Sequence, residues 1–510
     1  MAHYERLSAL DASFLGIEDD DCHMHVGAVS IFDAGPILTP EGGLDIDRIH
    51  TAIMGKLHLV PRFRHRLAYV PYERNPIWVD DTRFRLAYHV RHTALPKPGD
   101  ERTLKRLVGR IMSAPLDRKR PLWEMWFVEG LDGGQRFAII SKTHHCMIDG
   151  IAGADMMSVI MEPFPNSELP VQEPWTPFPP PSRARLLVDE AKRRLNQPVD
   201  AVGSLIGALQ QPAEAINSVT EAVRAIGNTF APALRPASPT SLNEPIGPGR
   251  RFDWTAMPIA DLKAVKNVFG GTLNDVVLAT VAGALRRFFI KRRVDSDELR
   301  LRALVPVSVR HEDERGQTGN RVAEMTAELP VHIDDPLERL RLVTETMSGL
   351  KKGKQALGAE MLTQLAEWTV PNLLVQAVRL ASRVRAYNVI VTNVPGPQIP
   401  LYFLGCPMRT AYPVVPLFHN LCLVVGLFSY NGGLFWGLNA DWERVPDLHD
   451  LVYFIQESFR ELQQRADEME EKGKAARKET GTTKKPKHAR PRKRTAEDGG
   501  ALRPTGEARR

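Results

Sequence analysis

Apolar and polar positions along the first third of the chain alternate between the two-residue period of strands and the three-to-four-residue spacing of helices. The pattern predicts strands over Met24–Phe32, Phe84–Val90 and Met125–Glu129, and helices over Ile46–Leu57 and Arg102–Ser113. Strands that alternate with helices in this way are typical of a layered α/β domain.

The same pattern frames a polar segment in the middle of this region. A buried strand is predicted over Arg136–Ile140, and helical spacing resumes over Ile151–Met161. Between them lies His144-His145-Cys146-Met147-Ile148-Asp149-Gly150. The two histidines should therefore lie where a strand ends and a loop begins. Neighbours on a strand point to opposite faces, so only one of them can face a given cleft.

A second set of alternating elements follows after residue 251. The pattern predicts helices over Leu273–Ile290, Pro336–Leu350, Glu360–Val384 and His449–Glu468, and strands over Leu304–Val309, Val322–Leu329, Asn388–Asn393, Leu421–Phe428 and Gly433–Leu438. Tyr430-Asn431-Gly432 between the last two strands is a hairpin signal. The chain therefore repeats its α/β organisation.

Proline content separates the two halves. Residues 163–181 contain eight prolines, which exclude a helix or a central strand there. Two helices are predicted after it, over Ser182–Leu195 and Ala201–Ile226. We therefore predict an N-terminal domain over 1–162, a Pro-rich and helical crossover linker over 163–250, a C-terminal domain over 251–468 and a tail over 469–510.

Charge is concentrated at the C-terminus. Residues 471–510 hold 14 Lys and Arg against 5 Asp and Glu, whereas the rest of the chain carries a net charge of −3. The tail lacks hydrophobic periodicity, so we expect it to be disordered. It could attract anionic lipid or nucleic acid, or serve only solubility. The body shows no basic surface interleaved with aromatic residues, so we expect no nucleic-acid partner.

Cysteine usage and hydropathy indicate the compartment. The four cysteines are scattered without a CxxC pair, which suggests a reducing environment and no disulfide framework. The chain has no signal pattern at its N-terminus, and no apolar run reaches the roughly 18 residues that a membrane-spanning helix needs. We therefore expect a cytoplasmic protein.

The paired histidines are the candidate catalytic centre. An imidazole can accept a proton from a hydroxyl and return it near neutral pH. We assign His145 as general base, His144 and Asp149 to its support, and Gly150 to a sharp turn. Asp149 could pair with an arginine, and Arg310 is one candidate. The alternative is a pair of hydrogen-bonded histidines in a turn. A metal site is disfavoured because adjacent histidines diverge on a strand, and so is a Cys146 nucleophile.

Two further segments are candidates for substrate contact. Thr272 is a predicted N-cap, which places Asn274 and Asp275 in the first turn of a helix, where negative charge is favoured. Asn274 could stabilise an oxyanion there, whereas the simpler interpretation of Asp275 is helix capping. Pro121-Leu122-Trp123 could contact substrate, or could be a strand entry with a core tryptophan.

Together these segments resemble one family. The matching residues are Leu10–Leu15, Met24–Gly27, Pro121-Leu122-Trp123, the His144–Gly150 motif, Asn274-Asp275 and Asn393-Val394-Pro395-Gly396-Pro397. They are similar to the bacterial wax ester synthase/diacylglycerol acyltransferase family, close to its actinobacterial triacylglycerol synthases. The HHxxxDG motif alone marks a wider clan that includes chloramphenicol acetyltransferase and peptide-synthetase condensation domains. The resemblance runs from about residue 4 to 468 and leaves out the basic tail.

The resemblance implies an α/β fold of two chloramphenicol-acetyltransferase-like domains with mixed sheets flanking a central tunnel. It also implies direct acyl transfer, in which acyl-CoA is a substrate and there is no metal, cofactor or covalent intermediate. The expected acceptor is diacylglycerol, with a long-chain alcohol, giving a wax ester, as the alternative. A non-catalytic lipid-binding relative is the alternative of another class. Lipid substrates imply peripheral association with the inner face of the membrane or with lipid droplets.

Overall fold

The computed structural model describes residues 4–72, 75–147, 156–193, 237–308, 322–352 and 386–480. Met1–Ala466 form one compact unit, and a second unit begins at Asp467. The predicted helices Ala201–Ile226 and Glu360–Val384 lie outside the described residues, as do Asp149, Gly150 and Arg310.

The described strands build three sheets. They are β1 (Glu5–Arg6), β2 (His25–Asp33), β3 (His65–Tyr69), β4 (Pro76–Asp80), β5 (Val90–Ala94), β6 (Trp123–Leu131), β7 (Arg136–His144), β8 (Arg250–Pro258), β9 (Leu301–Ser308), β10 (Val322–Leu329), β11 (Val389–Pro395), β12 (Tyr402–Phe403), β13 (Cys406–Val414), β14 (Leu423–Tyr430) and β15 (Gly433–Asp441).

The described helices are distributed over both halves of the chain. They are α1 (Ala9–Ile17), α2 (Ile46–Lys56), α3 (Leu86–His89), α4 (Glu101–Ser113), α5 (Met156–Ile160), α6 (183–193), α7 (Ile259–Phe269), α8 (Leu273–Lys291), α9 (Pro336–Lys352) and α10 (Leu448–Thr480). Taken singly, none of them combines the length and the apolar composition needed to cross a membrane. Among the described helices, the pair α7 and α8, bent by 98° to each other, is the one that meets the two criteria together.

The first large sheet has six strands in the order β12-β13-β2-β7-β6-β5. Its β5–β6 pair is parallel, whereas β2, β7 and β6 pair antiparallel. Phe137, Ala138, Ile139 and Ile140 in β7 are all fully buried. A strand that is covered on both faces reads as a continuous apolar run, which is the pattern that predicted it.

The second large sheet also has six strands, in the order β10-β9-β11-β14-β15-β8. Strand β11 runs parallel to β9 and β14, and the outer pairs are antiparallel. Helix α8 is the centre of its core, because every residue from Asp275 to Leu285 is buried. The predicted α/β class with mixed sheets is confirmed. The tunnel between two domains stays a prediction.

Strand pairing crosses the boundary that the sequence predicts between domains. Strands β12 and β13 come from the predicted C-terminal domain, yet β13 pairs with β2 at the side of the first sheet. The third sheet, β1-β4-β3, is small and antiparallel. Backbone hydrogen bonding can join segments that are distant in sequence, which a linear pattern does not reveal.

Two predicted elements are wrong in type or extent. The sequence pattern predicts a strand over Phe84–Val90, but α3 occupies Leu86–His89 and the strand begins only at Val90. Local turn bonds from Phe84 N to Asp81 O and from Tyr88 N to Arg85 O satisfy the backbone there instead of a ladder. The tail predicted from residue 469 is corrected in its first part, because α10 continues to Thr480 through a segment in which most residues are strong helix formers. Residues 481–510, where the tail is predicted to be disordered, lie outside the described residues.

Candidate active site

Strand β7 brings the histidine pair to the end of the first sheet. His144 is its last residue and lies opposite His25 of β2. Its N–H donates to Leu122 O at 2.9 Å, and the N–H of His145 donates to Met24 O at 2.8 Å. His145 begins a 3₁₀ turn that runs to Met147. The prediction that the pair lies where a strand ends is confirmed.

His145 packs against an aromatic ring. Its imidazole stacks on Phe14 of α1, with ring centroids 3.9 Å apart and an interplanar angle of 28°. Its Nδ1 is buried and has no hydrogen-bond partner among the described residues. Burial lowers the pKa of His145 to about 4. The ring is therefore unprotonated at neutral pH, as a proton acceptor must be.

His144 is fully buried on the other side of the strand end. Its Nδ1 accepts the backbone N–H of Cys146 at 3.1 Å. Its Nε2 lies 3.3 Å from Oε2 of Glu18. The two histidines thus have different surroundings, as the strand geometry predicts. His145 faces a ring, and His144 faces a carboxylate.

Glu18 is the centre of a buried polar cluster that the sequence analysis missed. The Nε and Nη2 atoms of Arg118 donate to its Oε2 at 3.0 and 2.6 Å. His25 Nε2 lies 3.6 Å from its Oε1. Burial raises the pKa of Glu18, but the contacts with His144 and Arg118 outweigh burial and lower this pKa to about 2. Glu18 is therefore a carboxylate at neutral pH.

Helix α1 supplies the contacts to both histidines. Ser8 caps it by accepting the Asp11 N–H at 3.0 Å. Phe14 and Glu18 are four residues apart, which places them on one face of a helical turn. The Glu18 N–H donates to Phe14 O at 3.3 Å, which closes that turn. The Ser8 cap and this spacing are local sequence signals that Phe14 and Glu18 share one face of a helix, but they do not indicate which residues that face contacts.

Cys146 is buried beside His145. Burial raises the pKa of its thiol well above the ordinary value. The thiolate is the nucleophilic form of cysteine, so this environment disfavours a covalent role.

The Pro121-Leu122-Trp123 segment packs in the core of the first sheet. Leu122 and Trp123 are almost completely buried. Trp123 Nε1 donates to Phe63 O at 2.8 Å, and the Trp123 ring stacks on His89 at 4.7 Å. The segment supports the strand end through Leu122 O. Substrate contact by Pro121, Leu122 or Trp123 stays a prediction.

Asn274 and Asp275 begin α8. Asp275 Oδ2 accepts the Thr272 N–H at 2.7 Å, and Thr272 Oγ accepts the Asp275 N–H at 3.3 Å, so the predicted capping is confirmed. Asp275 Oδ1 is buried without a hydrogen-bond partner among the described residues. No hydrogen bond between described residues joins Asn274 or Asp275 to His144 or His145. Their substrate contact stays a prediction.

Comparison with known proteins decides the family. A sequence model of the wax ester synthase/diacylglycerol acyltransferase catalytic domain matches residues 7–277, and a model of the WS/DGAT C-terminal domain matches residues 318–463. The chain is 34% identical over 483 residues to a putative diacylglycerol O-acyltransferase of Mycobacterium tuberculosis, covering 92% of each chain. This protein belongs to the wax ester synthase/diacylglycerol acyltransferase family.

Solved structures extend the comparison of folds. A wax ester synthase/diacylglycerol acyltransferase from Marinobacter aquaeolei is 27% identical, covers 91% of this chain and all of its own, and superposes with a TM-score of 0.65. The starter condensation domain of rhizomide synthetase is 15% identical. Its alignment covers 91% of this chain and 95% of the condensation domain, with a TM-score of 0.52. That second likeness concerns the fold alone. The resemblance drawn from the motifs is confirmed.

Proposed function

We propose that this chain transfers a long-chain acyl group from acyl-CoA to the hydroxyl of diacylglycerol, giving triacylglycerol. The proposal rests on the position and charge state of His145. This histidine lies directly after the strand end, and its ring is neutral at pH 7, in a member of this family. The relatives named diacylglycerol O-acyltransferases support diacylglycerol as acceptor.

The proposed mechanism is direct transfer. His145 removes the proton from the acceptor hydroxyl while the oxygen attacks the thioester carbonyl. The tetrahedral oxyanion collapses, the carbon–sulfur bond breaks, and the proton on His145 passes to the leaving thiolate of coenzyme A. Asn274 is the proposed oxyanion donor, since its amide is neutral and lies at a helix N-terminus. The route needs no metal or cofactor, because acyl-CoA brings an activated carbonyl.

A long-chain alcohol is the second candidate acceptor. The structural likeness to the Marinobacter enzyme, which carries both activities in its name, favours it. Both acceptors present a hydroxyl on an apolar body, so the same base would serve either.

We also propose that the protein is cytoplasmic and associates peripherally with the inner face of the membrane or with lipid droplets. Its proposed substrates are lipids, and residues 471–510 carry a net charge of +9. Such a segment attracts anionic lipid.

One assay separates these functions. The purified full-length protein is incubated with labelled palmitoyl-CoA and with dioleoylglycerol, hexadecanol or no acceptor, and the lipids are resolved by chromatography. We expect labelled triacylglycerol with dioleoylglycerol and less wax ester with hexadecanol. Preferential wax ester formation would reverse the choice of acceptor. The complete absence of ester, together with saturable lipid binding, would favour the non-catalytic lipid-binding alternative.

A further inference from the structure

We infer that Glu18 is a positioning residue for acyl transfer, which holds His144 in one tautomer and thereby fixes the backbone that carries His145. This inference rests on the proposed role of His145 as the base. Glu18 is the C-cap of α1, whereas the histidines lie at the end of β7 and in the turn that follows it, so the contact ties together two elements about 130 residues apart in sequence.

The hydrogen bond at Nδ1 of His144 defines its tautomer. Its Nδ1 accepts the Cys146 N–H, so this nitrogen carries a lone pair and no proton. The proton of the neutral ring is then on Nε2, which lies 3.3 Å from Glu18 Oε2, an electrostatic contact without the alignment of a hydrogen bond. The ring therefore bridges a carboxylate and a backbone amide. His145 lies between His144 and Cys146 in sequence, so the hydrogen bond from the Cys146 amide to the His144 ring encloses it.

Arg118 holds the carboxylate in place and keeps it charged. Its guanidinium contacts Glu18 Oε2 through two nitrogens, and its Nη2 also donates to Leu15 O at 3.0 Å. Leu15 lies in the last turn of α1, where a cation is favoured. With Arg118 as counter-charge, Glu18 needs no protonated histidine. Besides Arg118 and His144, His25 lies near the carboxylate, with its Nε2 at 3.6 Å from Oε1.

The bridge has a consequence for geometry at the reacting atoms. A displacement of about 1 Å in a group that must meet substrate can cost about 10²-fold in rate. Loss of the Glu18 contact frees the His144 ring to rotate or to change tautomer, and the amide of Cys146 then loses its acceptor. The turn that holds His145 would relax, although His145 itself is unchanged.

The first test compares two carboxylates of similar burial. Glu18→Gln keeps the shape and removes the charge. Glu190→Gln is the matched control, because Glu190 is 5% exposed and pairs with Arg6 and Arg193 away from the histidines. We expect kcat to fall about 10²-fold in Glu18→Gln with the KM for acyl-CoA unchanged. The control should lose melting temperature with normal kcat. Normal kcat in folded Glu18→Gln, or an equal loss in the control, overturns the inference.

A double variant tests whether Glu18 acts through His144. If it does, Glu18→Gln should add little to the loss in kcat that His144→Gln causes alone, because residues acting as a unit are non-additive. Multiplicative losses would overturn the inference. His145→Ala, measured beside them, tests the base itself. If that variant keeps its turnover, the proposed function fails, whatever the Glu18 variants do.

A spectroscopic test needs no destabilised variant. Long-range ¹H–¹⁵N spectra of the histidine-labelled full-length protein at pH 7 report which ring nitrogen is protonated, and His144→Gln assigns the signal. We expect His144 with a proton on Nε2 and none on Nδ1. A proton on Nδ1 overturns the inference even if Glu18→Gln fails to fold.

Discussion

At the residue scale, the environment of His145 keeps its ring free to accept a proton at neutral pH, although the lowered pKa makes it a weak base. It stacks on Phe14, and burial keeps its ring unprotonated at neutral pH. His145→Ala should lower turnover by about 10²–10⁴-fold, the usual contribution of general base catalysis. Steady-state assays of folded protein check this, with His92→Ala, an exposed partner of Glu129, as the control. Near-normal turnover of His145→Ala would rule out the proposed base.

The pKa of the same residue predicts the pH dependence. Since burial lowers the pKa of His145 to about 4, kcat/KM should stay level below neutral pH and fall only as pH drops through about 4. The lowered value also means that His145 contributes stability that is fully present above its unfolded pKa of about 6.5 and is lost as pH falls. Return of each sample to pH 7 separates reversible protonation from unfolding. An acid limb centred near 6.5 would contradict the prediction.

Cys146 gives the prediction about covalent chemistry. Its thiol is buried and its pKa is raised, so it should not take an acyl group. Mass spectrometry of the intact protein after mixing with palmitoyl-CoA alone should show an unmodified mass. The Cys146→Ala variant should keep most of the turnover of the unchanged protein. A stoichiometric acyl adduct that disappears in Cys146→Ala would replace direct transfer with a two-step route.

At the element scale, Gly27 permits the close pairing of β2 and β7 next to the site. A Cβ atom added to it would lie 1.9 Å from Ser141 O of β7. Gly27→Ala should therefore cost about 1–3 kcal/mol, the range of overpacked positions, and should lower turnover by displacing the strand that carries His144. Denaturant unfolding and assays test this. Gly35→Ala, where an added Cβ meets nothing within 4 Å, should be neutral.

Some helices and strands could be predicted from the sequence, and others could not. Strand β7 and helix α8 were predictable because continuous apolar runs and an N-cap mark them locally. The helical turn at Leu86–His89 was missed because its alternating apolar residues imitate a strand. The Gly396 of the Val394-Pro395-Gly396-Pro397 segment was recognised only as part of a motif. Its physical reason, an added Cβ 2.3 Å from Phe428, needs the neighbouring strand in place.

The site itself was predictable only in part, because a local sequence pattern does not show contacts between distant segments. His144 and His145 share one short motif, so their placement at a strand end follows from local spacing. Glu18 and Arg118 reach His144 from other elements, and no pattern within any single element indicates that contact. Helix capping by Asp275 followed from Thr272 alone.

At the scale of the whole molecule, strand pairing joins the two halves of the chain. Strand β13, after residue 400, pairs with β2, which in turn pairs with β7. Lys105 of α4 contacts Asp253 of β8 at 2.6 Å and lies over the Trp254 ring at 4.6 Å. The sheet that contains β7 is therefore built from segments that precede the predicted crossover linker and from segments that follow it. Changes far along the sequence can reach the site through this sheet.

The last prediction concerns the charged C-terminus, where residues 481–510 hold 10 Lys and Arg against 3 Asp and Glu. Deleting them leaves α10 complete to Thr480. The full-length protein should sediment with vesicles of phosphatidylglycerol and phosphatidylcholine at low salt and less at high salt, since a Debye length of about 10 Å at 0.1 M screens such attraction. The truncated protein should lose the salt-sensitive part. Full-length protein that stays in the supernatant at low salt would refute membrane association. Unchanged salt-sensitive binding after truncation would assign the contact to the folded body, and neutral vesicles serve as the control.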